Sequence, residues 1–300
     1  MSKKSFELIV GDNPFHGISH LSQKRARSRL TSTSTLDVKN AAQLVNISVE
    51  NGANGFMFSV SETTLSILRN IDQINALNLY AIVPYAYEYV RHAIRAGGIS
   101  GLAKEVLPQI ILSKNIVTVM TNIIGLAKAD PSAFLDTYVA YEISRIKSAS
   151  GRFCRLKSVF LHEIITDMAL ALDLSWLFES YIKFLRKHKI KPGFETRNFV
   201  YLINKLNKWD IDLSKITIVA PFNKVGFQMN PSKTVCETAL NKVSEGDVIA
   251  MSILAAGYLR PPQAFPYVLG LPNLSGVVVG VSKESHARDT FTQLKECLTS

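Results

Sequence analysis

The residues best suited to chemistry in this chain stand at the ends of short apolar runs. His162 closes the run VFLH, and an imidazole at the end of a buried segment is suited to proton transfer near neutral pH. Glu163 and Glu195 can each serve His162 as a general base, ligate a metal, or pair with Arg197, and Glu163 reads as the salt-bridge partner. Asp12, His162 and Glu195 issue from three different runs and can converge on a divalent cation, although no metal site is assigned. Lys224, in APFNKVGF, suits a Schiff base with a carbonyl substrate if desolvation lowers its pKa, or a surface anion contact. The candidate catalytic set is therefore His162, Glu195 and Lys224. Arg197 suits bidentate anchoring of a carboxylate or phosphate and Lys283 suits it as a point charge. Asp12, Asn13, His16, Glu62, Tyr85, Arg197 and Asn223 make up the candidate substrate-binding set.

Elements must hold these residues at one place. The stretch from Gly246 to Phe291 carries two apolar runs, Val248 to Ile253 and Val277 to Val279, that suit strands buried on both faces. After the second, Gly280 leads to Ser282 as an expected N-cap, and Ala287, Phe291, Leu294 and Leu298 recur at helical spacing. A strand, a glycine, a capping hydroxyl and a helix N-terminus together favour a phosphate. The same reading predicts strands at Phe6–Val10, Gly55–Ser59, Leu79–Pro84, Ser158–His162, Pro192–Glu195 and Ile216–Ala220. Predicted helices include Ser61 to Leu77, Leu172 to His188, Asn198 to Lys208 and Lys233 to Val243. Eight strands alternating with helices imply a parallel sheet closed as a (β/α)8 TIM barrel, which leaves no unpaired edge. An open doubly wound sheet is the alternative, but no GxGxxG follows the first strand. The connection after the first strand is about two dozen residues, far longer than is usual, and reads as a lid. Residues 85–150 read as a helical extension, with Pro131 opening its last helix, although Ile116 to Met120 also fits an extra strand.

Composition narrows the partners. The 300 residues, 47% apolar, suit a single barrel domain over 1–300. Cys154, Cys236 and Cys297 lack zinc-site spacing and read as reduced thiols. No run reaches the roughly 20 apolar residues of a membrane span and no signal-peptide pattern opens the chain, so a cytoplasmic protein is expected. The net charge of +10 is spread along the chain, with no zinc finger, aromatic RNA-binding motif or basic tail, which favours an anionic small molecule over nucleic acid or membrane.

Several segments resemble the aldo-keto reductase superfamily. SILAAGYL resembles the family's segment after strand seven, and VVVGVSKESHARDTFTQL resembles its ending. The resemblance implies that Ala256, Gly257, Ser282, Lys283 and Arg288 hold an NADP cofactor. VFLHEI resembles the segment that carries the family's catalytic histidine, which would be His162, and NGANGFMFSVSETTLSIL matches the strand-two region through Ser61-Glu62. The family's aspartate and tyrosine near strand two and its strand-three lysine have no counterparts, so tyrosine-mediated proton donation cannot run as in the family. The NPFHGISHLS opening also resembles a group of barrel proteins of unassigned function.

Three functional classes follow. One is an enzyme with a phosphate or nicotinamide nucleotide at the strand 7 and 8 loops, an atypical NADP-dependent oxidoreductase in its most specific form. Another is a lyase or isomerase using His162 with Glu195, a metal or Lys224. The third is a ligand-binding barrel without catalysis.

Overall fold

A computed structural model describes residues 6–16, 37–72, 76–84, 131–243 and 246–299. Eight parallel strands run β1 (Glu7–Gly11), β2 (Gly55–Ser59), β3 (Leu77–Val83), β4 (Cys154–Leu161), β5 (Lys191–Glu195), β6 (Thr217–Pro221), β7 (Asp247–Met251) and β8 (Leu274–Gly280). Each pairs with its sequence neighbours, and β1 pairs with β8 from Glu7↔Gly276 to Gly11↔Gly280, closing the barrel. The (β/α)8 reading stands, and the open sheet is ruled out. Around the strands lie α1 (Val38–Glu50), α2 (Glu62–Asn70), α3 (Pro131–Ala149), α4 (Glu163–Ala171), α5 (Ser175–Lys187), α6 (Phe199–Lys208), α7 (Lys233–Lys242), α8 (Pro261–Leu269) and α9 (Glu284–Thr299).

Strand alternation divides the apolar side chains into two cores. Ile9, Met57, Tyr80, Phe160, Val219 and Ile249 fill the barrel interior. Their neighbours in sequence, such as Leu8, Val10, Phe56, Phe58 and Val159, face outward into the much larger layer beneath the helices. Phe160 spans the interior because β5 offers no side chain opposite it. A Cβ on Gly193 would lie 2.4 Å from the Phe160 ring.

Helix starts follow local chemistry. Asp37 accepts from the Lys39 N–H at 3.0 Å to begin α1, and Ser61 with Thr64 forms a reciprocal cap on α2. Several boundaries differ from the sequence reading. The helix expected from Ser61 to Leu77 ends at Asn70, and Leu77 already belongs to β3. The helix expected from Leu172 to His188 is α5, which begins at Ser175, and the unexpected α4 precedes it, the two separated where Asp173 takes a left-handed φ of 55°. β7 stops at Met251, and α9 begins at Glu284, so Ser282 stands two residues ahead of the helix instead of at the residue preceding it. The first-loop lid, Tyr85 and the 85–130 part of the helical extension lie outside the described residues. Among the described residues no helix is long and apolar enough to cross a membrane.

Candidate active site

The C-terminal ends of β1, β2, β4 and β5 bring polar groups to one rim. Asp12, immediately after β1 and 3% exposed, accepts from the Ser59 N–H at 2.8 Å and from His16 Nε2 at 3.1 Å through the same Oδ2. The 3-10 turn Asn13–His16 folds back over the end of β8, where a Cβ on Gly280 would come within 2.7 Å of Pro14. Gly280 thus lets the turn that carries His16 lie against the barrel. Asn13 itself is exposed.

At the end of β4 the backbone N–H of His162 still donates to the Val83 carbonyl at 2.8 Å, continuing the ladder one residue past the strand. Its side chain caps α4, Nδ1 accepting the Ile164 N–H at 3.1 Å. That bond requires a lone pair on Nδ1, which leaves the proton of the neutral ring on Nε2. Burial pushes the imidazole pKa down, Glu163 opposes the shift and Arg197 adds to it.

Glu163 Oε2 lies 2.7 Å from Arg197 Nε, so the salt bridge expected of Glu163 is present. The Glu163 N–H donates to Glu195 Oε2 at 3.3 Å. Glu195 ends β5 on the same alternation as Gly193, and its carboxyl is pushed up to about 8, chiefly by burial and then by the charges of Glu163 and Asp12. A protonated carboxylic acid and a neutral imidazole therefore stand on adjacent strand ends near neutral pH.

Further groups that sequence reasoning missed fix this rim. Asp167 accepts from Thr196 Oγ1 at 2.5 Å and from Asn198 Nδ2 at 2.9 Å, tying the turn after β5 to α4. Burial raises its pKa against those hydrogen bonds. Gln228 accepts from Arg197 Nη1. The available signal was spacing: Asp167 follows Glu163 by four residues, on the same helix face.

Other sequence candidates fall elsewhere. Lys224 is exposed, so the desolvation that a Schiff-base lysine needs is not present. Asn223 is fully buried, and its amide donates to the Phe227 carbonyl and accepts the Phe227 N–H, each at 2.8 Å, folding its own loop. Glu62 pairs with Arg145 at 2.6 Å with its side chain 70% exposed. Among the described residues no cluster of three or more His, Cys, Asp or Glu is disposed to hold a metal, so Asp12, His162 and Glu195 do not form one.

The molecule was compared with known proteins. No family model and no curated protein sequence matches the chain. Two solved structures from Pseudomonas aeruginosa, each described as a "putative aldo-keto reductase", are similar over 97% of this chain and 90% of theirs. They superpose with TM-scores of 0.58 and 0.56 at 12% and 13% identity. The fold is aldo-keto reductase-like.

In this aldo-keto reductase-like barrel the residues named for cofactor binding sit at the β7 and β8 ends. The β7–α8 turn holds Ser252, Ala255, Ala256 and Gly257 at φ of 55°, 46°, 58° and 85°. For non-glycine residues such conformations cost on the order of 1–3 kcal/mol each and cluster at functional turns. Ser282, Lys283 and Arg288 are exposed at and beyond the start of α9.

Proposed function

We propose that this protein is an atypical oxidoreductase that reduces a small carbonyl compound with a nicotinamide nucleotide, NADP in its most specific form, and that Glu195 replaces the absent tyrosine as proton donor. The observation that carries the reading is the placement of Glu195, whose pKa is raised to about 8, and of His162, whose Nδ1 accepts the Ile164 N–H, at the C-terminal ends of the neighbouring strands β5 and β4. The nucleotide, when bound, supplies a hydride to the carbonyl carbon. Glu195 would give its proton to the carbonyl oxygen as negative charge develops there, and would regain it from solvent afterwards. His162, with its proton on Nε2, would hold the carbonyl by donating a hydrogen bond. Arg197, braced by Glu163 and Gln228, would anchor a carboxylate or phosphate on the substrate.

Two features support a nucleotide at the β7 and β8 loops. The 16-residue α9 directs unpaired N–H groups at its exposed start, beside Ser282 and Lys283. The left-handed Ala255–Gly257 turn is a costly backbone shape of the kind that ligand-binding loops retain. A cofactor-free isomerase would use the same Glu195 and His162 pair to shift a proton between neighbouring carbons.

NADPH titration followed by nicotinamide fluorescence separates these readings. Saturation at submillimolar cofactor, weakened by Lys283→Ala, together with NADPH-dependent turnover of an acidic aldehyde or ketone, is the expected result. Absence of binding in that range would refute the redox reading, and carbonyl isomerisation without cofactor would favour the second.

A further inference from the structure

The sequence reading spreads the net charge of +10 along the chain, but two segments account for all of it. Residues 143–158 and 180–194 together hold ten of the chain's 34 lysines and arginines and none of its 24 acids. The rest of the chain is balanced, 24 cations against 24 acids. The first segment runs from the end of α3 through a turn into β4, and the second from the latter half of α5 through a turn into β5. β4 pairs with β5, Ser158 opposite Lys191, and α3 packs against α5. The fold therefore gathers the excess on one side of the barrel, toward the N-terminal ends of the strands and away from His162.

Three of the ten cations are matched within the fold. Arg145 pairs with Glu142 and Glu62, Lys157 with Glu7, and Lys191 with Asp247. Lys147, Arg152 and Arg155 from the first segment and Arg186, Lys187 and Lys189 from the second are exposed, and among the described residues none of them has a carboxylate partner. Burial and then the charges of Lys147 and Lys187 push the His188 pKa down, which places the two segments' cations close together. Like charges gathered without counter-charges work against the folded state, and a partner that supplies anions relieves the cost.

The kind of anion follows from the shape of the face. Single-stranded nucleic acid lies in a basic groove with aromatic rings on which successive bases stack. Here the cations stand on helix ends and the turns that follow them, and the one exposed aromatic ring of the two segments is Phe153, 55% exposed in the turn before β4 and flanked by Arg152 and Arg155. An apolar ring among long cationic side chains suits a layer of lipid headgroups, the ring entering the interface while the charges stay at the phosphates. We propose that this face docks the protein peripherally on an anionic phospholipid surface, with Phe153 in the interface and the surrounding lysines and arginines on the headgroups. The rim that carries His162 and Glu195 then faces water, and the docking does not depend on the reaction proposed there.

The test is co-sedimentation of the full chain with vesicles of phosphatidylcholine alone and of phosphatidylcholine mixed with phosphatidylglycerol. Binding to the mixed vesicles only is expected, weakening as salt rises from about 0.1 to about 1 M and the screening length falls from about 10 to about 3 Å. Arg152→Ala and Lys187→Ala should each lower the partition coefficient about fivefold, and Phe153→Ser should lower it without changing the salt dependence. Lys224→Ala, exposed at the opposite rim, should bind as the wild type does. All four positions are exposed, and circular dichroism should show each variant folded. No sedimentation with the mixed vesicles at low salt would overturn the proposal. An equal loss in Lys224→Ala would overturn it too, since net charge alone would then explain the binding. Retention on poly(U) RNA without binding to the vesicles, lost in the same variants, would replace the lipid surface with nucleic acid as the partner.

Discussion

At His162 one nitrogen lone pair holds the start of α4, and the opposite nitrogen carries the proton proposed for substrate contact. The two roles can be separated by substitution. His162→Ala removes both and should cost about 0.5–2 kcal/mol in urea unfolding through loss of the cap. His162→Asn, a good capping residue, should recover most of that stability while leaving turnover as low as in the alanine variant. Glu195 makes a second prediction at this scale. An acid donor with a pKa of about 8 is active while protonated, so kcat/KM should fall about tenfold per pH unit above that value and rise on the acid side as His162 loses its proton. Glu195→Gln should abolish the alkaline limb and lower kcat by about 10²–10⁴. The stability consequence has a definite sign. The folded pKa lies above the ordinary 4.5, so the folded state binds the proton more tightly, and the contribution is full below pH 4.5 and is lost as pH rises toward about 8. Thermal melts should therefore show Glu195→Gln gaining on the wild type between those two values.

Between α4 and the turn after β5, Asp167 acts as a clamp. Thr196 is fully buried, and Asp167→Ala would leave its hydroxyl without the acceptor it now has at 2.5 Å. The expected cost is about 1–3 kcal/mol in chemical denaturation. Because the Arg197 N–H lies 3.4 Å from Asp167 Oδ2, the KM for an anionic substrate should rise more than kcat falls. This element also shows where sequence reading stopped. α4 went unseen because its cap is a histidine, outside the usual Ser, Thr, Asp and Asn, and because α4 and α5 are separated by a left-handed Asp173 with no glycine or proline to mark the break. β4 was read only from Ser158, since Arg155 and Lys157 interrupt its apolar run, and the ladder with β3 shifts register at that point. β8 was read only from Val277 because Ser275 and Gly276 open it. The outer apolar faces, by contrast, were legible throughout: Phe56, Phe58, Val159 and Val248 alternate or run together as parallel strands require. The site was legible in part. Strand ends pointed to His162, Glu163, Glu195 and Arg197, but the Glu195 pKa is raised chiefly by burial and then by the charges of Glu163 and Asp12, which no linear pattern reports.

Across the whole molecule, closure of the ring decides which groups meet. Asp12 and Glu195 come from strands four positions apart, yet the Asp12 charge still raises the Glu195 pKa. Phe160 is the side chain that fills the ring where Gly193 leaves room, and Phe160→Ala should cost about 3–5 kcal/mol by calorimetry or urea titration. Retention of parallel-barrel circular dichroism with loss of a cooperative melt would mark loosening of the interior.

The hydrogen bond from the Ile164 amide to the His162 ring turns one backbone position into a reporter. When acid places a second proton on that imidazole, the acceptor vanishes, and deuterium should enter at residue 164 faster than the pH dependence of intrinsic exchange allows. Reading that single amide across a pH series would give the ionisation of the rim histidine directly, with neither substrate nor label.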